Sequence, residues 1–74
     1  MSRLIRLDQT GHTTLAEWST EDPTAFEDAV EAFRQELDRG YFGIATQPDG
    51  GAEQVTELPR DAETVILRRP IAGG

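Results

Sequence analysis

Thr64-Val65-Ile66-Leu67-Arg68-Arg69-Pro70-Ile71-Ala72-Gly73-Gly74 closes the chain. The unbroken apolar run Val65-Ile66-Leu67 predicts a strand over Thr64 to Arg69, central enough in its sheet to be covered on both faces. Pro70 terminates that strand, because its ring fixes φ and removes the N–H that a ladder needs. The same stiffness lowers the entropy lost when the tail enters a partner. Beyond it the chain becomes slim. Gly73 and Gly74 lack a Cβ, so their backbone can thread a channel closed to other residues. A carboxylate on such a tail is a chemical handle that another protein's active site can reach.

Working outward from this strand, Pro59-Arg60-Asp61-Ala62 reads as a turn, preceded by a weaker strand over Ala52 to Leu58 with a partial bulge. Pro48-Asp49-Gly50-Gly51 supplies another turn, and Tyr41 to Thr46 is an apolar strand before it. The clearest helix spans 23–39. Asp22 serves as N-cap with Thr20 as competitor, Pro23 suits the first helical position, and Gly40 stops the helix as a C′ glycine. Phe26, Ala29, Val30, Phe33 and Leu37 form its apolar stripe, while Glu27, Asp28, Glu31, Gln35, Glu36 and Asp38 are expected on the other side. Acids early in the helix and arginines at Arg34 and Arg39 agree with the helix dipole. Arg3 to Leu7 and His12 to Trp18 read as a hairpin around Asp8-Gln9-Thr10-Gly11. The order is β-β-α-β-β-β. With one helix to cover one face of the sheet, it predicts a two-layer α+β roll.

Composition narrows the possible functions. The 74 residues are expected to form one small domain over 1–70, followed by a flexible tail over 71–74. Fourteen acids against seven arginines give a net charge of −7, poor material for nucleic acid and suited to a basic protein surface. No stretch is long and apolar enough for a membrane helix, and Met1-Ser2-Arg3 does not open a signal peptide, so a cytoplasmic location is expected. The sequence has no cysteine, which excludes disulfides and thiol nucleophiles, and its single His12 makes no zinc site alone. It also lacks lysine, so the protein has no side-chain amine for its own activated tail to acylate. No coiled-coil pattern is present, and a monomer with transient partners is expected. Trp18 is expected to pack at the hairpin edge and His12 to lie on the surface. Asp61 and Glu63 bracket a turn, and Gly50-Gly51 has no following helix to make a phosphate loop.

The element order and the closing run from Asp61 to Gly74 together resemble the β-grasp, or ubiquitin-like, proteins. Within them the closing run resembles the ends of bacterial sulfur carriers: the thiamine-pathway carrier and the small subunit of molybdopterin synthase. Those chains run from an acidic turn through an apolar strand to a Pro/Val-Ile/Val-Ala-Gly-Gly tail. Val55, Leu58 and Pro59 also fall where that family has a short strand and loop. Arg68-Arg69 replaces residues more often apolar in the carriers and is similar to the arginines before ubiquitin's own Gly-Gly.

The resemblance implies a carrier rather than an enzyme. A carboxylate, with an α-carboxyl pKa of about 3.5, is a poor electrophile at neutral pH and needs a leaving group. In the family an adenylating enzyme supplies it with its own ATP and Mg²⁺, so the carrier binds no cofactor. A sulfur donor such as a cysteine desulfurase or rhodanese-type protein then converts the terminal carboxylate to a thiocarboxylate, which an acceptor synthase consumes. On this reading Gly74 carries the reacting carbonyl, and Gly73, Ala72, Ile71 and Pro70 are the recognised tail. The sheet face away from the helix meets the partner. Strand alternation sends either Phe42 and Ile44 or Tyr41 and Ala45 to that face; Phe42 and Ile44 are the expected contacts, with Arg68 and Arg69 pairing partner acids or remaining solvated. The alternatives are a ubiquitin-like modifier conjugated through Gly74 and an interaction domain whose glycines are incidental.

Overall fold

The computed structural model describes residues 1–46 and 49–69. Pro48 of the expected turn and all five expected tail residues, Pro70, Ile71, Ala72, Gly73 and Gly74, lie outside the described residues.

The chain opens with β1 (Ser2–Asp8) and β2 (Gly11–Trp18), an antiparallel hairpin. Its turn has the expected chemistry. The Asp8 carboxylate accepts hydrogen bonds from the Thr10 N–H at 2.9 Å and the Thr10 hydroxyl at 2.6 Å. Gly11 takes a φ of 117°, which residues with a Cβ rarely adopt. The register slips between Leu4, opposite Ala16, and Ile5, opposite Thr14, so Leu15 is the extra residue of a bulge.

Helix α1 (Pro23–Asp38) begins as the sequence predicts. The Asp22 carboxylate accepts from the Ala25 N–H at 3.1 Å, and Pro23 occupies the first turn. It ends in a Schellman motif: the Tyr41 N–H donates to the Glu36 carbonyl and the Gly40 N–H to the Leu37 carbonyl, both at 3.0 Å, with Gly40 at a φ of 98°. The expected charge bias is not there. The first turn has no acid and the last no base, since Arg39 is the C-cap; the Asp22 cap and these carbonyl bonds complete the helix ends instead. A second correction concerns Glu36, expected on the solvated side. It is 5% exposed, because it lies three residues after Phe33 and seven after Ala29, on the stripe that faces the sheet.

β3 (Phe42–Thr46), β4 (Ala52–Val55) and β5 (Thr64–Arg68) complete a five-stranded sheet in the order β2-β1-β5-β3-β4. The β1–β5 pair is parallel and the others antiparallel. β5 is central, as its apolar run predicts. β4 is shorter than the expected Ala52–Leu58 strand. The helix cap holds the chain until Tyr41, so β3 begins at Phe42 and offers the residues beyond Val55 almost nothing to pair with. Leu58 turns into the core instead, at 8% exposure.

The core lies between α1 and one sheet face, built from Leu4, Trp18, Ala29, Phe33, Ala45, Leu58, Ala62, Val65 and Leu67. Trp18 packs edge-on to Phe26 with ring centroids 5.8 Å apart, and its Nε1–H donates to the Arg60 carbonyl at 3.0 Å. The Arg60 guanidinium lies 4.8 Å from the Phe26 ring centroid, so the loop after β4 is fastened to the helix start. The result is an α+β domain, one helix on a mixed sheet.

Candidate functional site

Strand alternation divides the sheet residues, and buried neighbours fix which side is which. Leu4, Ala45, Val65 and Leu67 face the helix. A Cβ at Gly43 would come within 2.6 Å of the Phe33 ring, so Gly43 faces the helix too. Phe42 and Ile44 therefore lie on the helix-free face, and Tyr41 and Ala45 pack on the core side.

The ladder extends this face into an apolar row. Ile5 is opposite Ile66, and Ile66 is opposite Ile44, so three isoleucines from three adjacent strands stand side by side. Thr14 and Gln54 flank the row on β2 and β4. Strands about 4.8 Å apart put the outer isoleucines about 10 Å from each other. Leu7, two residues along β1, and Phe42, beside Arg68, extend the row toward one end. All five apolar side chains are half-buried, and none packs against the core cluster.

Charge is distributed unevenly around this row. Arg3 and Arg68 are exposed on the helix-free face, two residues along the strand from Ile5 and Ile66 respectively and on opposite sides of the row. Their places in the ladder separate them by about 13 Å along the strands. Glu17 is opposite Arg3 in the ladder. The exposed acids Glu27, Asp28, Glu31 and Asp38 belong to α1, on the other layer. The protein thus presents an apolar face with two arginines while its helix carries much of the negative charge.

Arg68 and Arg69 diverge. Arg68 lies across from Phe42 on the apolar face, whereas the Arg69 guanidinium is 5.6 Å from the Tyr41 ring centroid. Arg69 is therefore engaged within the fold.

Sequence reasoning missed the ion pairs beneath this end of β5. Arg6, opposite Leu67 in the ladder, donates from Nη1 to Glu36 Oε1 at 3.2 Å. Arg39 donates to the same oxygen at 3.2 Å. The Asp8 carboxylate is 3.5 Å from Arg6 Nε, a contact too poorly aligned to hydrogen-bond, and Glu36 Oε2 has no hydrogen-bond partner. The Thr10 hydrogen bonds, with a smaller contribution from Arg6, hold the Asp8 carboxyl below its ordinary value. A signal for the network was present in the sequence: strand alternation puts Arg6 on the side of Leu4, and helical spacing puts Glu36 on the side of Phe33.

No protein-family model, curated protein or solved structure matches this chain.

The site rests on its own geometry. Of the expected contacts, Phe42, Ile44 and Arg68 share one face, and Arg69 follows at its rim, held by Tyr41. Among the described residues no three His, Asp or Glu side chains gather to hold a metal ion, and no helix is long and apolar enough to cross a membrane. His12 is exposed next to the hairpin turn. An apolar row with a cation at either end has the chemistry of a docking surface: desolvation supplies affinity and the arginines set orientation.

Proposed function

We propose that this chain is a sulfur carrier of the β-grasp type, whose working group is the carboxylate of Gly74. The observation that supports it most is the position of β5. Paired with β1 on one edge and β3 on the other, β5 is the central strand of the sheet, and its last residue stands six positions before Gly74. A tail following such a strand starts from a fixed point beside the isoleucine row. The one-helix, mixed-sheet architecture agrees with the β-grasp resemblance, and the cytoplasm is the compartment where its partners work.

In the proposed cycle the activating enzyme docks on the helix-free face and receives the tail. The Gly74 carboxylate attacks the α-phosphorus of ATP, pyrophosphate leaves, and an acyl-adenylate forms. A persulfide sulfur attacks the acyl carbon and expels AMP. A thiol then reduces the S–S bond and frees the thiocarboxylate, which gives its sulfur to an acceptor synthase. This chain contributes binding and presentation; the partners do the catalysis.

The proposal takes Gly74 as the terminal residue of the working protein, and one experiment addresses that premise along with the function. The protein is co-expressed with an adenylating enzyme and a sulfur donor from its own genome and weighed intact. The expected gain is the mass difference between sulfur and oxygen, lost when Gly73 and Gly74 are deleted. Arg68-Arg69 favours a second reading, a protein modifier. That reading predicts heavier covalent adducts that survive reducing denaturation. If neither species forms, Gly74 is not the working group.

A further inference from the structure

The β3–β5 ladder ends at Phe42 opposite Arg68. Tyr41 stands one residue before β3 and Arg69 one residue after β5, so the same register sets these two side by side. Alternation puts both on the helix side of the sheet, two residues along from Gly43 and Leu67. Here the pairing passes from main chain to side chains: the Arg69 guanidinium lies 5.6 Å from the Tyr41 ring centroid. Arg69 is also the residue before Pro70, whose ring disfavours the helical region for it and leaves extended backbone.

Tyr41 is a firm support. Its N–H donates to the Glu36 carbonyl at 3.0 Å, its half-buried side chain packs against the core, and β3 follows at once. The Glu36 side chain ties the same helix end to the sheet, since its Oε1 accepts from Arg6 of β1 at 3.2 Å. Arg69, by contrast, is exposed. A contact between an anchored ring and an exposed guanidinium orders the arginine far more than the tyrosine.

We propose that Tyr41 is a positioning residue for the chain's end: it holds Arg69 in line with β5, so that the residues after Arg69 start in one direction. The role rests on the sulfur-carrier reading, in which Gly74 must reach a partner's active site. A chain end already aimed raises the fraction of molecules competent to bind, and apparent affinity rises in proportion. Tyr41 touches no reacting atom and acts through Arg69.

Two measurements on the full chain test this. The first is NMR of the protein alone. In the starting protein and in Tyr41→Phe, the Arg69 side-chain protons are expected upfield through the ring current, with Arg69 backbone order near that of Leu67. Tyr41→Leu is expected to lose both, while the Gly43 and Leu67 amides keep their slow hydrogen exchange. The second is adenylation of Gly74 by the activating enzyme of the same genome. Tyr41→Leu is expected to raise KM about two- to fivefold at unchanged kcat, the scale of one exposed cation–π contact. Tyr41→Phe is expected to keep the original KM. Arg69→Gln, an exposed substitution outside the core, is expected to raise KM equally, and no further when combined with Tyr41→Leu. A further loss in the double variant would show Arg69 meeting the partner directly and overturn the positioning role. Unchanged Arg69 shifts and order in Tyr41→Leu would overturn it too. A starting protein that is never adenylated overturns the sulfur-carrier reading, and the NMR comparison then decides by itself whether Tyr41 holds Arg69.

Discussion

At the scale of single residues, Gly43 determines which face of β3 turns away from the helix, the face proposed to dock a partner. Period-two alternation gives two equally good arrangements of Tyr41 to Thr46, so sequence alone leaves Phe42 with Ile44 and Tyr41 with Ala45 as alternatives. The choice falls to volume. The ring of Phe33, 1% exposed, occupies the space where a Cβ of Gly43 would stand, with contacts at 2.6 and 2.9 Å. Such a fit between a missing side chain on a strand and a large one on a helix is visible only in three dimensions. Gly43→Ala is expected to destabilise the fold by about 1–3 kcal/mol, the usual penalty of overpacking a buried site. Phe33→Leu in the same chain is expected to recover part of that loss. Urea midpoints of the four proteins in the cycle check this, and additive effects would show that the ring yields freely.

At the scale of elements, the helix caps, the Asp8–Gly11 turn and the central strand were legible in the sequence, because each follows from local chemistry. Two features were not. The end of β4 depends on where β3 starts, which in turn depends on the helix cap holding Tyr41. The burial of Glu36 was hidden by its charge, which suggested solvent although its spacing from Ala29 and Phe33 pointed inward. Its partners explain how it is tolerated. Arg6 from β1 and Arg39 from the helix end both donate to Oε1, joining α1 to the strand beside β5. Removing one partner of such a pair leaves the other poorly solvated. Glu36→Gln is expected to cost about 1–3 kcal/mol, less than a fully buried pair because the Arg6 and Arg39 side chains are 24% and 64% exposed. Replacing both charges, Arg6→Met with Glu36→Leu, is expected to restore most of that stability. Thermal or urea unfolding of the single and double variants measures the coupling; a double variant no better than the sum of its parts would assign the network no pairwise role.

For the whole molecule, the proposed docking depends on one layer covering the core while the other face of the sheet stays open. The single helix seals Leu4, Val65 and Leu67, and the same strands present Ile5 and Ile66 on the other side. The resemblance at the chain's end suggested a docking face, but the row of three isoleucines needed the ladder. Ile5, Ile44 and Ile66 are far apart in sequence, and only their register brings them abreast. A charge set among the apolar residues of a docking surface is costly to binding, because it must be desolvated or left facing apolar groups. Ile44→Arg adds a solvent-directed cation at one end of that row, between Ile66 and Gln54, without touching the core. It is expected to cost about 1 kcal/mol of folding stability at most. On the sulfur-carrier proposal, adenylation of Gly74 by the activating enzyme is expected to fall about tenfold or more in kcat/KM, equivalent to about 1.4 kcal/mol of lost docking energy. Glu31→Gln, on the exposed side of the helix, is expected to leave that rate unchanged and serves as the matched control. A folded Ile44→Arg protein adenylated at the normal rate would move the docking surface elsewhere, whatever the fate of the tail.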